Sequence, residues 1–88
     1  LTTTEIDIKD RVKDFIVTNF FLDVSEIQLD DKTSFLETGI VDSTGIMEVV
    51  AFIQEEFGVD IEDREILPEN LDSLAYIARF VSGKMVNN

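Results

Sequence analysis

One apolar face, set at helical spacing and closed by a glycine, limits what this chain can become more than any other feature. Ile46, Val49, Val50, Ile53 and Phe57 recur at the i, i+3, i+4, i+7 intervals of a helix, which confines them to roughly a third of its circumference. Thr44, Met47, Glu48, Ala51 and Glu55 fall on the opposite side, so the outer face is acidic with a small apolar strip. Gly58 stands where a left-handed residue ends a helix, and Val59 is placed for the apolar contact that accompanies such an end. Upstream, Gly39-Ile40-Val41-Asp42-Ser43 reads as a loop that delivers a serine to the exposed head of this helix.

The rest of the chain arranges itself around that element. Thr4 and Asp7 have the spacing of a capping box, opening a helix at about Glu5 whose buried stripe is Ile8, Val12, Phe15, Ile16 and Phe20. Lys9, Arg11, Lys13 and Asp14 take its wet side, and basic residues interleaved with acids read as a solvated face rather than a binding patch. From Phe21 to Val41 the periodicity fails. Asp23, Ser25, Asp30, Asp31, Thr33 and Ser34 form turns and caps there, while Val24, Ile27, Leu29, Phe35 and Leu36 are apolar anchors. That pattern predicts a loop packed over the core, with a helical turn near Ser34–Glu37. The run from Asp30 to Ser34 lacks the glycine and closing glutamate of a calcium loop. Glu62–Leu67, bounded by Gly58 and Pro68, has room for only a short helix. Asn70 is a good N-cap for a last helix carrying Leu71, Leu74, Ala75, Ile77, Ala78 and Val81, ended by Gly83 with a frayed tail from Lys84. No strand or repeat is evident. The expectation is a single all-α domain over residues 1–88, ordered from about 4 to 83: a four-helix bundle with three main helices, a short third helix and a long first loop.

Composition narrows the function. Nineteen acidic residues against seven basic ones give a net charge of −12, which argues against nucleic acid and anionic membrane surfaces, since both need a basic patch. The acids gather around the central helix at Asp42, Glu48, Glu55, Glu56, Asp60, Glu62, Asp63 and Glu65, which favours a docking surface for basic protein partners. Cysteine and histidine are both absent. That removes disulfides, thiol chemistry of the chain's own, Ser-His triads and the usual transition-metal sites. No apolar run approaches a membrane span and no signal-peptide pattern appears, so the expected location is the cytoplasm. Nothing suggests a stable oligomer, and a monomer is expected.

Three readings of Ser43 compete on the residues alone. Ser43 or Asp42 caps the central helix, worth about 1 kcal/mol. Alternatively Ser43 is a nucleophile, but no histidine can serve it and Lys32 and Lys84 lie in polar stretches. Or Ser43 is modified, with an anionic ester favoured by about 0.3–1 kcal/mol at a helix N-terminus.

Phe35-Leu36-Glu37-Thr38-Gly39-Ile40-Val41-Asp42-Ser43, followed by the Ile46-to-Phe57 stripe, resembles the attachment region of acyl and peptidyl carrier proteins. The family's signature is Asp-Ser-Leu at the head of its second helix, in a four-helix bundle with a long first loop and a short third helix. The resemblance covers nearly the whole chain. It implies a carrier that is not itself an enzyme, with no catalytic or metal-ligating residues. Ser43 would receive 4′-phosphopantetheine from coenzyme A through a phosphopantetheinyl transferase and then hold an acyl or aminoacyl group as a thioester. Asp42 matches the acid that helps the transferase engage. Glu48 and Glu55 match acids of the partner-recognition helix, and Met47 and Ala51, next to Thr44, match the apolar strip between them. Ligases, synthases or transferases with basic surfaces would be the partners.

The chain departs from the family at three places. Thr44 stands where Leu is usual, Gly45 where fatty-acid carriers have Asp, and Phe52 where a small residue is common. The first two changes are expected to remove an apolar contact and a charge from the outer face. Phe52 either packs under the long loop or enlarges a partner contact. Gly39-Ile40-Val41-Asp42-Ser43 is more similar to D-alanyl and aminoacyl carriers than to the Leu-Gly-Ala-Asp-Ser of housekeeping fatty acid biosynthesis, which suggests a specialised carrier in lipid or secondary metabolism. The rival reading is an unmodified acidic helical protein–protein interaction domain.

Overall fold

In the computed structural model, residues 4–20 and 30–86 are described. The expected anchors Val24, Ile27 and Leu29, and the turn formers Asp23 and Ser25, lie outside the described residues. Helix α1 spans Glu5–Asn19, α2 is the single turn Phe35–Thr38, α3 spans Gly45–Phe57, α4 is the turn Pro68–Leu71 and α5 spans Leu74–Val86. A 3₁₀ turn at Asp63–Glu65 precedes α4. No strand occurs among the described residues.

The starts of α1 and α2 carry local side-chain caps. Thr4 Oγ1 accepts the Asp7 N–H and Asp7 Oδ2 accepts the Thr4 N–H, so the capping box forms with aspartate in the place of glutamate. Ser34 caps α2 through its hydroxyl oxygen, and Gly39 ends that turn at φ 75°. At the exit of α3, Gly58 takes the left-handed conformation (φ 66°) and returns its N–H to the Gln54 carbonyl. Val59 is buried behind it, and the Gln54 side chain accepts the Ile61 N–H at 2.9 Å. The end of the central helix is thus fixed on both sides of the turn.

The three long helices share one core. Ile8, Val12 and Ile16 of α1 meet Val49, Val50 and Ile53 of α3 and Leu74, Ile77, Ala78 and Val81 of α5, with Phe35 and Val41 delivered from the segment between α1 and α3. Ile46 and Phe57, at the ends of the α3 stripe, are only half-buried, because the core face narrows toward both ends of that helix. Phe52 stacks on Phe15 of α1 with ring centroids 4.2 Å apart and meets Phe57 edge-on at 6.4 Å. Its bulk therefore cements α1 to α3.

The last third departs from expectation in two respects. Asn70 is not the N-cap of the last helix. It lies inside α4, where its side-chain amide donates to the Glu65 carbonyl at 2.9 Å. Asp72 and Ser73 break the chain between α4 and α5, and Ser73 takes the cap: its hydroxyl oxygen accepts the Tyr76 N–H at 3.1 Å and its carbonyl the Ile77 N–H at 2.9 Å. A further first-turn donor, Ala75 N–H, bonds the Asp31 carbonyl of the long connection. Nor does Gly83 end α5, which continues through Lys84 to Val86. A glycine inside a helix costs about 1 kcal/mol, and here the residues beyond it offset that cost. Lys84 pairs with Glu65 at 2.7 Å, and Met85 packs on the core.

That last pair gives a pH prediction. The Lys84 ammonium, followed by the Glu62 N–H, holds the Glu65 carboxyl below its ordinary value of 4.5. A carboxyl whose pKa is lowered on folding contributes fully above its unfolded value, and the contribution is lost as pH falls through the folded one. The Tm advantage of the natural chain over Lys84→Met is therefore constant near neutrality and shrinks as pH drops below 4.5. Thermal melts of both proteins between neutral pH and pH 3 check this; a gap that widens in acid contradicts it.

Candidate functional site

The turn ahead of α3 separates two roles that the sequence left joined. Asp42 is the cap: its Oδ1 accepts the Gly45 N–H at 2.6 Å and its backbone carbonyl accepts the Ile46 N–H at 3.0 Å. Thr44 makes no capping bond through its side chain. Ser43 is exposed, and its hydroxyl has no hydrogen-bond partner among the described residues. Ser43 is thus not a cap, because the longer acid one residue earlier already occupies the donor a cap would satisfy. The Ser43 and Thr44 backbone N–H groups likewise lack acceptors among the described residues, so the helix head keeps donors that would favour an anion on Ser43.

Gly45 corrects a second expectation. It is not on the outer face but buried against the end of α1. A Cβ there would stand 2.7 Å from Cε1 of Phe20 and 3.2 Å from Asp42 Oδ1. The missing side chain admits the Phe20 ring beneath the serine turn and leaves room for the Asp42 cap. Gly45→Ala sets about 1 kcal/mol of gained helix propensity against roughly 1–3 kcal/mol of overpacking. The net expectation is a lower Tm for Gly45→Ala alone and a raised one when the same change is made in a Phe20→Ala background. Thermal denaturation of the four proteins of that cycle measures both signs.

The remaining predicted residues lie together. Thr44, Met47, Glu48, Ala51 and Glu55 are all exposed along one side of α3, with Met47 at 50% the most prominent apolar contribution. Arg11 holds Glu56 at the edge of this face at 2.9 Å. Glu48 and Glu55 have no ion-pair partner among the described residues, so their charge is uncommitted.

Beside Ser43 lies an apolar cavity of about 150 Å³, walled by Leu36, Ile46, Ile66, Leu67 and Leu71. Sequence reasoning did not place it, because its walls come from four separate segments. Ile46, packed against the edge of the core, also lines this space. An exposed hydroxyl at a helix head, next to an apolar recess and an acidic face, is placed where a covalently attached group could leave the surface.

The family described as phosphopantetheine attachment site matches residues 18–81. The chain belongs to the acyl carrier protein family. The carrier is 28% identical over 72 residues to the acyl carrier protein of Clostridium acetobutylicum, spanning 82% of this chain and 88% of that one. It is 29% identical over 76 residues to the acyl carrier protein of Solidesulfovibrio magneticus, spanning 84% and 95%. Its cofactor is phosphopantetheine, and the carrier is not an enzyme but works with enzymes as partners. Among its described residues no helix is long and apolar enough to cross a membrane.

Proposed function

We propose that this single carrier domain bears 4′-phosphopantetheine on Ser43 Oγ and presents a thioester-bound acyl or aminoacyl group to partner enzymes, as a specialised carrier of lipid or secondary metabolism. The observation that carries the reading is the free, exposed Ser43 hydroxyl beside a cap already filled by Asp42. The bound group would supply the thiol that a cysteine-free chain lacks. Phosphopantetheinyl transferase would dock on the α3 face, with Asp42 next to the reacting oxygen. One Asp42 oxygen is committed to Gly45, and Oδ2 has no hydrogen-bond partner among the described residues, which leaves it available to the transferase.

Partner enzymes would present basic surfaces to Glu48 and Glu55 around the Met47–Ala51 strip, an arrangement suited to fast, weak, salt-screened encounter. We place the carrier in the cytoplasm as a monomer, where coenzyme A can serve as donor. The test is intact mass before and after incubation of the apo chain with coenzyme A, magnesium and a promiscuous phosphopantetheinyl transferase. A single pantetheine-sized gain is expected. An apo chain whose mass stays put under conditions that load another carrier overturns the reading.

A further inference from the structure

Helix α2 is a single turn, too short to persist on its own hydrogen bonds, and its first N–H groups need acceptors from elsewhere. Asp72, at the break between α4 and α5, supplies most of them. Its backbone carbonyl accepts the Phe35 N–H at 2.9 Å and its Oδ1 accepts the Leu36 N–H at 2.9 Å. Its Oδ2 accepts the Ser34 hydroxyl, whose oxygen takes the third donor, Glu37 N–H, at 3.2 Å. One residue thus binds three consecutive residues of a segment far away in sequence. Beyond α2 the chain folds back, Val41 N–H bonding the Phe35 carbonyl at 3.4 Å with the Val41 side chain 1% exposed. Ser43 follows two residues later.

We propose that Asp72 is a positioning residue for the loading of Ser43. By fixing α2 it sets the path on which Val41, Asp42 and Ser43 enter α3, and it holds Leu36 as a wall of the cavity beside the hydroxyl. The inference rests on Ser43 being the attachment site. None of Asp72's hydrogen bonds reaches α3, so the docking face is left intact when Asp72 is changed. Positioning and docking then separate kinetically, because a misplaced nucleophile lowers kcat while uniform binding, which sets KM, is retained.

The experiment is steady-state loading by phosphopantetheinyl transferase, read by intact mass, with the carrier concentration varied. The natural chain, Asp72→Ala, Asp72→Asn and Ser43→Ala are compared below the unfolding transition of each. Asp72→Ala is expected to lower kcat about tenfold with KM within about twofold. Asp72→Asn keeps an oxygen for Leu36 and an amide that can donate to Ser34, so it restores most of the rate. A kcat for Asp72→Ala within twofold of the natural chain, a loss confined to KM, or no rescue by asparagine overturns the proposal. Should Asp72→Ala fail to fold, Ser34→Ala removes the hydroxyl bridge alone and is expected to lower kcat about threefold; an unchanged kcat overturns the proposal equally. A natural chain that takes no group removes the attachment reading and this inference together. One that loads normally while Asp72→Ala keeps pace removes only the inference.

Discussion

Ser43→Ala abolishes the pantetheine-sized mass gain and leaves the melting temperature nearly unchanged. The first half follows if Ser43 Oγ is the attachment atom, since neighbouring Thr44 offers a hydroxyl one residue further into the helix and not at the same place. The second half follows from geometry. An N-cap serine changed to alanine costs about 0.5–2 kcal/mol, which in a chain of this size lowers Tm by roughly 2–16 °C. Ser43 makes no hydrogen bond with the described residues, so that cost does not arise. Asp42→Ala is the counterpart: it removes the acceptor for the Gly45 N–H and is expected to lower Tm by several degrees. It should also slow loading. Intact mass and thermal melts of the two variants together distinguish an attachment serine from a capping one. A Ser43→Ala protein that still gains the group, or melts as far below the natural chain as Asp42→Ala does, contradicts the assignment.

The parts of this fold legible in the sequence are those written in local spacing. The α3 stripe, the Thr4–Asp7 box, the Ser34 cap and the Gly58 stop each need only residues within one or two turns of each other. Expectation and structure part where a distant contact decides the outcome. Asn70 and Ser73 are both good caps by type, and the choice fell to Ser73 because Asp31 satisfies the Ala75 N–H from another segment. Gly83 has the residue type of a stop, yet Glu65 and the core hold Lys84 and Met85 in the helix. Gly45 looked like a lost surface charge, and only the Phe20 ring beneath it gives its purpose. At the site, the serine and its acidic helix were visible as a pattern. The division of labour between Asp42 and Ser43 was not, because Asp-Ser places two competent caps side by side and the backbone turn decides which one is used. Asp72 sat in what read as a helix interior, where nothing local marks a residue that binds Ser34, Phe35 and Leu36.

Phe52→Ala tests the other open position and is expected to lower stability by roughly 2–3 kcal/mol. A fully buried phenylalanine costs about 3–5 kcal/mol on truncation. Phe52 is half-buried, which reduces that figure, but it is stacked on Phe15 and edge-on to Phe57, and such ring pairs add about 0.5–1.5 kcal/mol beyond area. At 4–8 °C per kcal/mol for a small domain, Tm falls by roughly 8–24 °C. The same geometry predicts what does not change. Phe52 faces α1, while Thr44, Met47, Glu48, Ala51 and Glu55 face away on the exposed side, so loading of Phe52→Ala measured below its transition should match the natural chain in KM. A raised KM with little loss of stability would assign Phe52 to a partner contact and remove it from the α1–α3 joint. Met47→Ala is expected to give the opposite pattern, a small change in Tm and a raised KM, if the outer face of α3 is the docking surface proposed above, because a 50% exposed side chain adds little to the core. The two substitutions lie about one and a half turns apart on one helix, yet they separate core from surface because five steps of about 100° set the two side chains roughly 140° apart around its axis.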